Sequence, residues 1–357
     1  MVRPVPDELA RAPPRVVWVT SEPGPPTAPT TVPAAGTLTH DGAEVDPAMV
    51  RAARLHYEHG MTHQEVADEL GLSRVKITRL LGEARRIGVV TITVHGDARP
   101  YAPLEERLTE HLGAAGLRQV HIAPTVGRDR LSAAVAREAA TALALLLPRV
   151  DSVAIGVSST VAESVALLPQ IDAPHLLVAP ACGGWAGTGR TLNPDTLAFR
   201  VATRVGGQAC SMPAPLVSQS ADLAHGLRMS PGVEGVLRLA READVLVVGV
   251  GVAPGGPGWD DALLSQALTG ADRARLEAAG AAGDISGRFF DGAGRAIAGG
   301  LDDRVVGLTL EEMRAVPARV ALACGPHKVA PLRAAIVGGL VSVLVTDRAT
   351  AQALLEA

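Results

Sequence analysis

The densest chemistry in this sequence is a run of cations. Residues 73–86 carry Arg74, Lys76, Arg79, Arg85 and Arg86 against a single acid, Glu83. On a helix that enters the major groove, side chains of the first turns reach base edges, and cations hold the flanking phosphates. Ser73, Arg74, Lys76, Thr78 and Arg79 occupy the amino-terminal half of such a helix and are the candidates for base contact. Residues 74 and 78 share a face, with 75 and 79 beside them. Arg85 and Arg86 lie farther along and suit phosphate clamps. A solvated basic helix in an unrelated bundle would show the same charge, but it would need neither the caps nor the turn glycine that flank this one.

A second set of residues could hold a small anionic or polyhydroxylated ligand. In Ile155-Gly156-Val157-Ser158-Ser159-Thr160, a strand runs into a helix. Glycine allows close approach, and hydroxyls with the N–H groups of a helix start make an anion site, so Gly156, Ser158, Ser159 and Thr160 are candidates. Plain capping by Ser158 or Ser159 is the alternative. Gly183 and Gly184 follow the next strand, where paired glycines permit either ligand approach or a tight turn. Asp284 stands before an apolar strand, as a carboxylate for ligand hydroxyls or as a turn or cap residue. Lys328, in Gly325-Pro326-His327-Lys328, falls in the first turn of a helix, where a cation opposes the helix dipole and so calls for a functional reason.

Other chemistries find little support. The ten histidines show no HxH, HExxH or i,i+4 pairing, so no metal site is expected. His56, His59 and His63 cluster near the first turn and are expected to be solvated or phosphate-facing. The glycines from Gly251 to Gly258 have the wrong spacing and intervening prolines for a dinucleotide fingerprint. No serine nucleophile elbow stands out. No catalytic residue and no cofactor are therefore assigned.

Three short amphipathic helices must position the basic run. Asp46-Pro47 opens the first, an N-cap acceptor followed by proline at the first helical position, and Gly60 ends it. Thr62 with Glu65 forms a capping box for the second, which stops at Gly71. Ser73 caps the third, which stops at Gly88. The β-branched run from Val89 to Val94 reads as a trailing strand, giving a winged helix-turn-helix over residues 46–97. From about residue 115 the pattern changes to strand–helix alternation. Strands are expected at 120–123, 153–157, 176–179, 245–250, 304–308, 319–323 and 341–345. Helices are expected at 128–147, 160–168, 193–204, 233–241 and 328–337. Apolar strands alternating with helices predict an α/β, Rossmann-like domain over residues 98–357, its parallel sheet covered on both faces. Ligands of such sheets sit beyond the carboxyl ends of the strands.

Composition bounds these readings. A chain of 357 residues suits roughly two or three domains. Net charge is -4, which excludes a general basic coat and confines any DNA contact to a local patch. Three Trp, two Tyr and three Phe are too few for base-stacking platforms. Cys182, Cys210 and Cys324 form no CxxC, which excludes a disulfide framework and suits a reducing cytoplasm. No uninterrupted run of 18 apolar residues occurs, so no membrane span is expected. Residues 1–45 hold nine of the 26 prolines and read as a disordered tail.

The sequence resembles the SorC family of sugar-responsive bacterial transcriptional regulators over about residues 48–355. The residues that carry the likeness begin with Ala53-Arg54-Leu55, Ser73-Arg74, Arg79-Leu80-Leu81, Ala84-Arg85 and Ile87-Gly88. They continue with Gly183-Gly184, Leu192-Asn193-Pro194, Pro213-Ala214-Pro215, Gly249-Val250-Gly251 and Gly283-Asp284-Ile285. They close with Gly287-Arg288-Phe289-Phe290-Asp291, Asp303-Arg304-Val305-Val306-Gly307 and Gly338-Gly339-Leu340. The resemblance implies a carboxy-terminal domain like that of phosphosugar isomerases, used to sense a sugar or sugar phosphate. It implies a phosphate-binding loop at 156–160, where this chain carries a serine-rich variant. It puts a ligand contact near Arg190 and a phosphate or ligand contact at Lys328. It also implies homotetramers formed through the large domain and operator DNA as partner, in the cytoplasm. The expected function is DNA binding modulated by a sugar or sugar phosphate, without enzymatic activity. The alternative is an isomerase-like sugar-phosphate enzyme with an appended DNA-binding module, with Asp284 as its candidate base.

Overall fold

The computed structural model describes residues 39–40, 43–90, 99–124, 126–184, 192–260, 262, 264–265 and 268–357. The proline-rich stretch up to residue 38 and the residues Thr91–Val94 of the expected wing strand lie outside them, as does Arg190. The chain divides into two units between Asp97 and Ala98.

In the smaller unit, β1 (Thr39–His40) pairs with β2 (Ala43–Glu44) and leads into α1 (Pro47–Ala53). Asp46 caps α1 by accepting from the Ala48 N–H. A π-turn at Arg54–Glu58 extends α1 to the left-handed Gly60. Thr62 and Glu65 form the reciprocal capping box of α2 (His63–Leu70), and α3 spans Arg74–Arg86. Gly71, at φ +63°, makes the turn between them, a conformation that costs other L-residues about 1 kcal/mol or more. Met49 and Ala52 of α1, Val66 of α2, and Ile77, Leu80, Leu81 and Ala84 of α3 close one core. Val89 and Val90 pack on that core as a bend, so the first two residues of the expected wing strand are not extended sheet.

The larger unit begins with α4 (Ala102–Leu112), β3 (Gln119–Ala123) and α5 (Arg128–Leu146), followed by β4 (Ser152–Ile155) and α6 (Ser159–Ala166). Next come β5 (Leu177–Pro180), α7 (Pro194–Val205), β6 (Gln208–Ala209), α8 (Ala221–Met229), α9 (Pro231–Arg241) and β7 (Val245–Gly249). Then follow β8 (Gly251–Val252), α10 (Gly270–Ala278), β9 (Ala281–Ile285), β10 (Arg288–Asp291), α11 (Leu310–Ala315) and β11 (Ala318–Leu322). The unit closes with α12 (Val329–Val337), β12 (Val343–Asp347) and α13 (Arg348–Glu356). Seven strands form one parallel sheet in the order β3-β12-β11-β7-β4-β5-β6. Separate apolar cores cover its two faces, as the continuously apolar β7 requires. α5 has the length and hydropathy of a membrane-crossing helix. It is instead a core helix of the sheet, with Val135, Ala139 and Leu143 buried beside Val153 and Val345.

The order fixes where the sheet changes direction. The chain passes from β4 outward to β5 and β6, returns to β7 beside β4, and then proceeds the other way to β11 and β12. The crevice between the carboxyl ends of β4 and β7 is therefore the topological switch point. A second, antiparallel sheet, β10-β9-β8, begins two residues after β7 ends. Its presence corrects the expectation of parallel pairing alone: Asp284 lies within β9, not before a strand.

Residues 304–308 are not a strand. Asp302–Arg304 form a 3-10 turn, and beyond it Val305 and Gly307 make single bridges to Val217 and Cys182. The segment's N–H groups are split between two partners, Val306 donating to the Leu216 carbonyl and Leu308 to that of Ala181, while Arg288, 4% exposed, donates to the carbonyls of Val305, Gly307 and Leu308 at 3.1 to 3.3 Å. One guanidinium thus supplies donors that a neighbouring strand would otherwise provide.

Candidate functional site

On α3, helical geometry separates two faces. Ile77, Leu80, Leu81 and Ala84 point to the core, while Arg74, Lys76, Thr78, Arg79 and Arg85 are exposed. Ser73 accepts from the Lys76 N–H at 3.2 Å and fixes where the helix begins. The hydroxyl of Thr78 donates to the Arg74 carbonyl at 3.0 Å and meets His63 Nδ1 at 3.1 Å, so α2 and α3 are joined on that flank. His56 Nδ1 donates to the Met61 carbonyl at 2.7 Å. Two of the three clustered histidines therefore stitch the turn. Arg86 is held by Glu83, with Nε donating to Oε2 at 2.9 Å and a second, shorter contact beside it. That leaves Arg85 as the exposed cation of the last turn with no partner among the described residues.

In the larger unit, the candidate residues come from loops at the carboxyl ends of four adjacent strands. Gly156 follows β4, and its N–H donates to the Val247 carbonyl of β7 at 2.9 Å. Ser158 caps α6 by accepting from the Val161 N–H at 3.0 Å. The Ser159 and Thr160 N–H groups lie in the first turn, with no preceding turn to bond, at the positive end of the helix. At the end of β7, Gly249 presses on Ser158: a methyl built on it would sit 2.4 Å from Ser158 Cβ. A methyl on Gly251 would sit 1.7 Å from Asp284 Oδ1, and one on Gly156 would sit 2.5 Å from Ser286 Oγ. Gly156, Ser158, Gly249, Gly251, Asp284 and Ser286 thus meet at the switch point.

The β9–β10 hairpin sets the acid there. Ser286 and Gly287 form its two-residue turn with φ +50° and +84°, the both-positive pattern of a type I′ turn. Asp284 Oδ2 accepts from the Gly287 N–H at 3.0 Å, so one oxygen serves the turn. The carboxyl is 8% exposed, and burial pushes its pKa up to about 6, partly opposed by the Gly287 N–H and by Lys328. Lys328 ends the 3-10 turn Pro326–Lys328 beyond β11. Its pKa is lowered by burial, against the attraction of Asp284 and Cys324, and among the described residues it forms no ion pair. Gly325, at φ +95°, anchors that turn by donating to Asp347 Oδ2 and Thr350 Oγ1, both at 2.9 Å.

Gly183 and Gly184 belong to the neighbouring end of β5, but chain packing occupies their open sides. A methyl on Gly183 would meet the Pro215 carbonyl at 2.5 Å, and one on Gly184 would meet Asn193 Nδ2 at 2.9 Å. The candidate list from sequence omits Gly249, Gly251 and Ser286. The first two stand in the Gly-Val-Gly run after an apolar strand, a signal of close backbone approach. Ser286 carries a weaker one, a Ser-Gly pair between alternating apolar residues. Its hydroxyl is buried and faces the Cys182 thiol.

Comparison with known proteins agrees with both units. A sugar-binding domain family matches residues 100–356, and the crp family of bacterial regulatory proteins matches residues 60–90. The transcriptional regulator LsrR of Escherichia coli (strain SMS-3-5 / SECEC) is 28% identical over 325 residues, covering 89% of this chain and 98% of LsrR. The erythritol catabolism regulatory protein EryD of Brucella abortus (strain 2308) is 30% identical over 319 residues, 87% of this chain and 96% of EryD. The full-length sorbitol operon regulator SorC from Klebsiella pneumoniae superposes with a TM-score of 0.68 at 26% identity, covering 86% of this chain and 97% of SorC.

Proposed function

This chain belongs to the SorC family of sugar-responsive transcriptional regulators, and from that membership we propose how its two units divide the work. α3 enters the major groove of operator DNA, with Ser73, Arg74, Lys76, Thr78 and Arg79 toward base edges and Arg85 and Arg86 toward phosphates. A sugar or sugar phosphate binds at the switch point of the larger unit. There Asp284 accepts ligand hydroxyls, and Lys328 with the Ser158–Thr160 helix start receives an anionic group. Gly156 lets Ser286 close on the switch point, Gly183 and Gly184 hold the neighbouring end of β5 by packing on Pro215 and Asn193, and Arg190 is proposed as a further ligand contact. The observation that carries this reading is the convergence of a buried acid, the buried lysine it attracts and a helix start at the switch point around Gly156, Gly249 and Gly251.

The protein acts in the cytoplasm as a homo-oligomer, with a tetramer as the proposed state. Palindromic duplex sites require at least two reading helices. Phe199 of α7 and Met229 of α8, 67% and 65% exposed, offer apolar surface for assembly through the larger unit. The ligand changes operator affinity only by as much as it binds one arrangement of subunits better than the other.

The test is thermal unfolding of the full chain against matched free and phosphorylated sugars. A ligand at 100 times its Kd stabilises by about 2.7 kcal/mol. A shift with phosphorylated sugars alone is the expected result and assigns Lys328 and Ser158–Thr160 to the phosphate. A shift with free sugars alone removes the phosphate from the proposal, and no shift across a broad panel removes the effector site. On the DNA side, Arg74→Ala is expected to relax sequence preference, while Arg85→Ala weakens specific and random duplexes alike and lowers the salt slope by about 1. Equal effects of both on specific and random DNA would mean that α3 does not read bases.

A further inference from the structure

Val75 is 79% exposed, more than any other large apolar residue described, and it sits in the first turn of the most cationic helix of the chain. At 100° per residue, the buried face of α3 centres between Ile77, Leu80, Leu81 and Ala84. Val75, Arg79, Gly82 and Arg86 then fall on the line directly opposite, pointing away from the unit's core. Nothing lies within 4 Å of a methyl built on Gly82, so about two turns beyond Val75 this outer line carries bare backbone. Beside this line Thr78 is bonded to His63 and to Arg74, and at its far end Arg86 is held by Glu83.

A β-branched residue on a solvated helix surface gains nothing from burial and is a poorer helix former than the residues around it. The pattern makes sense if this line is not solvated in use. Bare backbone at Gly82 lets the helix approach closely, and the isopropyl group of Val75 arrives at the groove floor beside the first-turn cations. The one apolar group that a base presents in the major groove is the C5-methyl of thymine.

We propose that Val75 is a specificity-determining residue that packs against a thymine methyl of the operator. The proposal rests on α3 being the DNA-reading helix. It adds an apolar readout to the polar one, and it predicts a thymine where cations alone would favour guanine.

The test uses the full-length protein and duplexes recovered by repeated selection from a random library. Each thymine of the recovered site is replaced in turn by deoxyuridine, which removes the methyl and nothing else, and affinity is read by fluorescence anisotropy at fixed salt. Burying one methyl corresponds to roughly a threefold to fivefold change in Kd. One thymine per half-site is expected to show that loss with the wild type. Val75→Ala keeps an exposed helical position and so preserves the fold; it should lower affinity for the thymine duplex by a similar factor and bind the deoxyuridine duplex equally well. A deoxyuridine penalty that persists unchanged in Val75→Ala overturns the proposal, as does a consensus without a methyl-sensitive thymine. Recovery of no preferred sequence overturns the reading of α3 itself, and this proposal with it.

Discussion

Asp284→Asn is expected to stabilise the unliganded protein at pH 7.5 and to abolish its response to effector. Burial raises this carboxyl to about 6 from an ordinary value near 3.8. The fold thus disfavours the ionised form that prevails at neutral pH. The sign is the reverse of a salt-bridged acid. As pH rises from about 4 to about 6, the unfolded chain releases this proton more readily than the folded one, so stability falls across that window and levels off above it. The gap corresponds to about 3 kcal/mol at most. Asparagine keeps the shape and the acceptor for Gly287 N–H while removing the charge, so part of that penalty is recovered. An effector whose hydroxyls donate to Asp284 needs the ionised form, so its affinity for the wild type should fall as pH drops below about 6. Thermal unfolding of wild type and variant at pH 7.5 and pH 4.5, with and without the sugar that shifts the wild type, checks each part. A variant that is less stable at pH 7.5, or that still responds, would show that the charge of Asp284 serves the fold rather than the ligand.

Gly249→Ala should cost 1–3 kcal/mol of stability and lower effector affinity at least tenfold. The backbone at Gly249 has no positive φ, so alanine meets no conformational objection there; the obstacle is Ser158, 2.4 Å from the added methyl at Cβ and at Oγ. Relief requires the end of β7 and the start of α6 to move apart, which opens the proposed anion site. Coupling this variant with Ser158→Gly separates the two effects. Ser158→Gly alone costs only a few tenths of a kcal/mol as a cap, and it deletes the atoms in conflict. Residues in contact are not additive, so the double variant should be more stable than the sum of its parts, while effector affinity stays low. Additive stability losses would mean that the two loops do not press on each other. Retained affinity in Gly249→Ala would move the ligand away from the switch point.

The family likeness and the elements of the small unit were legible because their causes are local. Asp46-Pro47, the Thr62–Glu65 box, Gly71 and Ser73 each satisfy or terminate a helix end within a few residues, and the structure shows the same caps at the same positions. The apolar strands after residue 115 were legible for a similar reason, since burial on both faces demands continuous hydrophobic runs. The segment 304–308 misled because Val305-Val306-Gly307-Leu308 has strand composition, while its N–H groups are split between Leu216 and Ala181 and three of its carbonyls accept from Arg288, a residue 17 to 20 positions earlier.

Local patterns in the chain therefore set the type and order of most elements, the cationic helix, and the loops that follow the strands. Which of those loops meet was decided by the sheet order. Strand β7 returns to lie beside β4, although 89 residues separate Gly156 from Val245 in the chain, and that return puts Gly249 against Ser158. The antiparallel hairpin then lays Asp284 across Gly251 and turns Ser286 toward Gly156. Spacing along a chain specifies which face or cap a residue occupies over one or two turns. Juxtaposition across the sheet depends on which strands find each other to bury their apolar faces, a choice settled by the packing of the whole core.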